Sequence, residues 1–216
     1  MPTADPAAPP RDCPACPRLV AFREENRAKW PDWHNAPVPS FGPAGAKLLI
    51  VGLAPGMHGA NRTGRPFTGD WAGDLLYATL LKFGFAQGVY DERPDDGLTL
   101  VSARITNAVR CLPPQNKPEG AEINACRPYL AGEIAALGDG AAIVALGRIA
   151  HDSMCRTLGV RLRAAPFGHG AEHPLGRLTL FDSYHCSRYN TNTGVLTTEM
   201  FEAVFARVRS HVDGGA

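Results

Sequence analysis

Residues 47 to 70 read KLLIVGLAPGMHGANRTGRPFTGD. The first seven, Lys47 to Leu53, form an apolar run rich in leucine and β-branched residues. Such a run, closed by glycine, is the pattern of a strand buried on both faces. A loop follows with glycines at 52, 56, 59, 64 and 69. These let the backbone turn with positive φ and lie close against a ligand. Asp70 then suits the start of a helix. Working outward, Leu98 to Thr106, Ala141 to Leu146 and Arg177 to Ser183 carry the same strand signature. Helical patterns lie over 70–83, 118–137, 147–158 and 197–212. The alternation predicts an α/β chain: a three-layer α/β/α sandwich with a central, mostly parallel sheet of four strands. Pro113 to Gly120 and Pro166 to Gly176 read as loops. Ligands on such sheets sit beyond the carboxyl ends of the strands, which singles out the loops beginning at Ala54, Asn107, Gly147 and Tyr184. The glycine-rich loop is neither a Walker A sequence nor a GxGxxG fingerprint, so a nucleotide-binding enzyme lacks its usual signals.

The 216 residues suit a single domain over 1–216, with 1–11 as a flexible tail. Hydrophobic residues make up 44% and charged residues 20%, enough for a core without disulfides. Net charge is +1, so any nucleic-acid footprint has to be a local patch of Lys and Arg. The opening MPTADPAAPP has neither the basic nor the apolar region of a signal peptide, and no apolar stretch is long enough to span a membrane. A cytoplasmic monomer with no membrane partner is the expectation.

Six cysteines in that compartment argue for metal or redox chemistry more than for disulfides. Cys13 and Cys16 form CPAC, a spacing that lets two thiolates converge on one centre. Cys111 and Cys126 flank the loop LPPQNKPEG. Together the four suit a Cys₄ site for zinc or for an iron–sulfur cluster, and spacing alone does not choose between them. The other reading is that the later two are separate buried cysteines. Cys155 falls in a helical pattern and is expected in the core; Cys186 is expected not to be a ligand.

GLAPG at 52–56 followed by GRPFTGD at 64–70 resembles the first motif of the family 5 uracil-DNA glycosylases, where the related family 4 has a GEAPG form. SYHCSRYNTNTG at 183–194 is similar to the second motif. TNAVRCLPPQNKP at 106–118 is similar to the family's central strand and third-cysteine region. The match runs in order from Cys13 to about Phe205. It implies a glycosylase of the iron–sulfur type with a 4Fe–4S cluster on Cys13, Cys16, Cys111 and Cys126, zinc being the alternative. It also implies a DNA-repair role. The enzyme would flip uracil out of DNA and hydrolyse its N-glycosidic bond, leaving an abasic site in base excision repair.

Within that resemblance, Gly52, Ala54, Phe67, Asn107 and His185 are expected to bind the base. Phe67 would stack on uracil; its alternative is a plain core residue. The Asn107 amide offers a donor and an acceptor for uracil O4 and N3–H, or caps a strand end. An asparagine here resembles family 4 more than family 5 members with alanine, and implies tight discrimination for uracil over hypoxanthine. His185 would donate to uracil O2 as the anion departs. Asp70 would position water or stabilise the sugar cation, with helix capping as its competitor. Asn61 is a weaker candidate for holding the water. Leu53 replaces the acidic residue of GEAPG, which leaves more for Asp70 to do. Arg65, Lys117, Arg188 and Tyr189 could contact DNA, Tyr189 as a wedge, or be solvated surface residues. A competing class is a non-catalytic iron–sulfur or zinc protein that binds nucleic acid or transfers electrons. Such a protein has no need of Phe67, Asn107 and His185 on three separate strand-end loops.

Overall fold

The computed structural model describes residues 8–214. In chain order the first half runs α1 (Pro17–Lys29), β1 (Leu48–Gly52), α2 (Ala60–Thr63), α3 (Trp71–Lys82), β2 (Ala86–Gln87), β3 (Thr99–Leu100) and β4 (Ala103–Asn107). The second half runs α4 (Gly120–Ala135), β5 (Ala142–Leu146), α5 (Arg148–Thr157), β6 (Glu172–Leu175), β7 (Leu178–Ser183), α6 (Arg188–Asn192) and α7 (Thr198–Gly214).

β1, β4, β5 and β7 are buried along their whole length; β1 and β5 are near-continuous apolar runs, as in a sheet covered on both faces, while β4 and β7 bury polar side chains as well. Side chains alternate between two cores. Leu48, Ile50, Val144 and Phe181 face α3 and α7, where Leu76, Leu80, Phe201 and Phe205 meet them. Leu49, Val51, Ile143 and Leu180 face α4 and α5, against Leu130, Ile134 and Met154. The three layers are therefore helices, sheet, helices.

The sheet has five strands, in the order β4-β1-β5-β7-β6, and not the expected four. β1, β4, β5 and β7 are mutually parallel, while β6 pairs antiparallel with β7. β6 lies inside the segment expected to be loop. It is an edge strand with alternating exposure and a proline at 174, and Pro is tolerated only where no ladder N–H is needed. Gly176, at φ +66°, turns the chain into β7. The strand expected from Leu98 to Thr106 is divided. β3 pairs with β2 in a separate two-stranded sheet, and Ser102 at φ +51° interrupts the extended backbone before β4. Of the tail expected at 1–11, residues 1–7 lie outside those described, and Pro10 already accepts a hydrogen bond from the Cys13 N–H at 3.0 Å. α1 carried no clear apolar periodicity. It buries Leu19 together with Arg23 and Asn26, so two of its three buried residues are polar.

From β1 the chain passes to β4 on one side and then to β5 on the other. The strand order thus reverses at β1, which places a crevice at its carboxyl end.

Candidate active site

That crevice is a cleft of about 510 Å³ lined by the loop after β1, by Phe67, Asp70 and Trp71, by Asn107 at the end of β4, and by His185 after β7. Ala54 and Leu53 line it as well, whereas Gly52 lies beneath. Gly52 pairs in register with Asn107, and a Cβ added to it would stand 2.6 Å from Phe67 Cζ and nearer still to Asn107 Oδ1. Glycine is needed there because two cleft residues close over the backbone.

Phe67 is held at φ +52°, a conformation rare for a non-glycine residue. Its surroundings over-determine it. The Tyr77 hydroxyl donates to Pro66 O at 2.6 Å and that of Tyr90 to Phe67 O at 3.3 Å. Arg65 anchors the same turn from below. It donates to both Asp96 carboxylate oxygens at 2.8 and 2.7 Å and to Thr68 Oγ1 at 2.7 Å. The expected phosphate contact by Arg65 is therefore corrected: its guanidinium is buried in an ion pair that fixes Phe67. Asn61 is corrected likewise. It does not line the cleft, and its Nδ2 donates to Asn35 Oδ1 at 2.9 Å in the interior.

The Phe67 and His185 rings stack with centroids 5.9 Å apart at 29°. Enclosure without an acidic partner pulls the His185 pKa down to about 4, so the imidazole is neutral at physiological pH. Its Nδ1 and the Oδ1 of Asn107 are buried atoms with no hydrogen-bond partner in the protein. Buried polar groups are nearly always paired, so an orphaned amide oxygen in a cleft marks a place for a ligand. The two carboxylate oxygens of Asp70 face different surroundings. Oδ1 accepts from the Gly73 N–H at 3.3 Å as the N-cap of α3, while Oδ2 faces Gly56 and Gly59. Burial raises its pKa.

At the rim, Arg188 lines the cleft with its guanidinium 5.5 Å over the Trp71 ring, and Tyr189 is 73% exposed. Lys117 is exposed next to the cleft-lining Asn116. Trp71, His58 and Ser187 line the cleft and were not singled out from sequence; Trp71 stands next to Asp70, which was the available signal.

Cys13, Cys16, Cys111 and Cys126 line one small cavity, distinct from the cleft. Cys16 is the N-cap of α1, and the Arg110 N–H donates to Cys126 Sγ at 3.4 Å. Burial first, and then Cys126, raise Cys111 to about 12 as a free thiol, with Cys13 and Cys16 acting in the same direction. Arg18 ties α1 to the neighbouring loop, donating to Glu122 Oε1 at 2.8 Å and to Lys117 O at 3.1 Å. Cys155 and Cys186 are buried in the two main cores. Among the described residues, the one set of three His, Cys, Asp or Glu ligand atoms mutually within 4.8 Å is His151, His173 and Asp182.

Residues 39–209 match the family described as the Uracil DNA glycosylase superfamily. The chain is 46% identical over 204 residues to a Type-5 uracil-DNA glycosylase of Thermus thermophilus, covering 91% of this chain and 92% of that protein. It is 44% identical to a Type-5 uracil-DNA glycosylase of Mycobacterium bovis, covering 91% of this chain and 77% of that one. A Type-5 uracil-DNA glycosylase of Pyrobaculum aerophilum is 38% identical over 91% of this chain and 87% of its own length.

Proposed function

The chain belongs to the Uracil DNA glycosylase superfamily, and on that premise we propose that it flips uracil out of DNA and hydrolyses its N-glycosidic bond. The observation that carries this reading is the orphaned Asn107 Oδ1, enclosed in the cleft that also holds Phe67, His185 and Asp70. Oδ1 accepts uracil N3–H and Nδ2 donates to O4, a match that cytosine, with an acceptor at N3 and a donor amine beside it, cannot reproduce; hypoxanthine carries the same donor and acceptor in N1–H and O6, so this edge does not separate it from uracil. The pocket therefore selects uracil over cytosine, with the asparagine used as in family 4 on a family 5 scaffold.

The C1′–N1 bond breaks with its electron pair going to uracil N1. The neutral His185 donates an N–H to O2 and stabilises the departing anion, a contribution on the order of a hundredfold or more in rate. A solvent water adds its oxygen to C1′ and loses a proton to solvent. The Asp70 carboxylate orients that water and offsets the positive charge developing on the sugar. Flipping costs a few kcal/mol, returned by stacking in the cleft and by edge recognition. Lys117, Arg188 and Tyr189 supply the DNA contacts at the rim.

Four cysteines lining one cavity fit a thiolate-bound centre, and Cys13, Cys16, Cys111 and Cys126 would hold it. Around one zinc ion four sulfurs crowd to within roughly 4 Å of one another. No three of these sulfurs are among the ligand sets within 4.8 Å in the described residues, which favours the larger 4Fe–4S cluster. Such a cluster would fasten α1 to the loop carrying Asn116 and Lys117. Stoichiometric iron and sulfide in the purified protein are expected; a colourless zinc protein would refute the assignment. The protein acts as a single-domain monomer in the cytosol, where the chromosome is; among the described residues no helix is long and apolar enough to cross a membrane.

The function is tested by incubating the purified protein with uracil-containing oligonucleotides and then applying alkali. Strand scission at uracil is expected. Intact strands would leave the non-catalytic reading.

A further inference from the structure

Trp71 lines the cleft, and the chemistry above leaves it without a task. Trp71 is 48% exposed, and unlike the other exposed apolar side chains it opens onto the cleft. The other two tryptophans are stacked on each other, with centroids 4.5 Å apart at 4°. Trp71 is instead held in place from its edge. Its Nε1–H donates to Thr191 Oγ1 at 2.8 Å, a bond between the first turn of α3 and α6. Arg188 stands 5.5 Å over the same ring. An exposed ring with a fixed orientation has already lost the freedom that binding would otherwise take from it.

The position of the ring narrows what it can bind. It follows Asp70 directly in the chain, and both residues line the cleft. Once uracil has left the stack, the base next to it on the same strand has lost a stacking partner and presents a bare π-face. We propose that Trp71 stacks on that neighbouring nucleobase, with Arg188 on the adjoining phosphate, so that the α3–α6 lip holds the strand open around the flipped nucleotide. This inference rests on the glycosylase reading. It assigns Trp71 as a DNA-positioning residue in addition to the wedge Tyr189.

The test uses an oligonucleotide with a 2′-fluorinated deoxyuridine, which binds without being cleaved, and reads Kd by fluorescence anisotropy. Trp71→Ala is expected to weaken binding roughly tenfold to a hundredfold, the range of one aromatic–base stack. Trp71→Phe keeps most of the affinity because it keeps a π-face. Replacing the bases flanking the deoxyuridine by abasic spacers should weaken the wild-type protein by a similar factor and leave Trp71→Ala nearly unaffected, since both changes delete the same contact. The dependence of log Kd on log salt should be unchanged in Trp71→Ala, whereas Arg188→Ala loses about 0.9 of slope for its phosphate. The inference is overturned if Trp71→Ala binds like the wild type, if Trp71→Phe binds as poorly as Trp71→Ala, or if Trp71→Ala stays fully sensitive to the spacers. DNA binding with no uracil release from a cleavable substrate would count against the glycosylase reading and leave the stacking contact standing. A wild-type protein that does not bind this DNA would refute both.

Discussion

Replacing Gly52 by alanine should disable the cleft while leaving the fold standing. The new Cβ would lie 2.6 Å from Phe67 Cζ and closer to Asn107 Oδ1, where ordinary contact begins at 3.4 Å. β1 cannot relieve the clash, because it is paired on one side with β4 and on the other with β5. The side chains of Phe67 and Asn107 have to retreat by about 1 Å, and a misplacement of that size is worth about a hundredfold in rate. Overpacking one methyl in a closed site costs roughly 1–3 kcal/mol. For a chain of this size that lowers Tm by roughly 2–4 °C per kcal/mol. Single-turnover excision of uracil, read by alkaline strand scission beside a thermal melt, measures both effects. Gly52→Ala with wild-type turnover would show that Phe67 and Asn107 need not stand where the structure holds them, and the account of the pocket would fail.

Two other substitutions separate architecture from chemistry. Burial raises the Asp70 pKa above its unfolded value, so its stabilising contribution is present at low pH and is lost as pH rises through the folded pKa. Asp70→Asn keeps an N-cap but removes the buried charge. It should therefore melt higher than wild type at neutral pH, with the gain disappearing on acidification, while excision is largely lost. A variant that is less stable at neutral pH and fully active would refute both roles. Arg65→Ala leaves the Asp96 carboxylate, whose side chain is 0% exposed, without its cation and with only the Asp91 and Leu98 N–H groups as partners, and should cost roughly 3 kcal/mol in denaturant unfolding. The salt dependence of its DNA binding should not change; a loss of slope would return Arg65 to the DNA interface.

The buried strands were legible because a run such as LLIVG has few alternatives to a covered parallel strand. The cleft followed from the rule that ligands sit at strand carboxyl ends, and Phe67, Asn107 and His185 do converge there from separate loops. β6 was hidden by Pro174 and by its edge position, which removes the apolar signal. Arg65 was misread because the partner that buries it, Asp96, lies 31 residues away. Asn61 has the same history, since its amide is taken by Asn35 from a loop 26 residues upstream. A titration state is not written locally either. His185 is neutral because of what encloses it, and the motif SYHCS does not carry that information. Asp70 read as either cap or catalytic residue, and the structure shows one carboxylate oxygen on the helix and the other turned to the loop glycines.

The role proposed for Asn107, whose buried Oδ1 has no partner in the protein, is to read the edge of uracil. Its most direct test is the rate of base release from uracil- and cytosine-containing oligonucleotides by the wild-type protein and by Asn107→Ala. Strong preference for uracil is expected in the wild type, with a loss of uracil excision in the variant on the order of a hundredfold or more that brings the two substrates close together. A uracil-to-cytosine ratio that does not move when Asn107 is removed would contradict it.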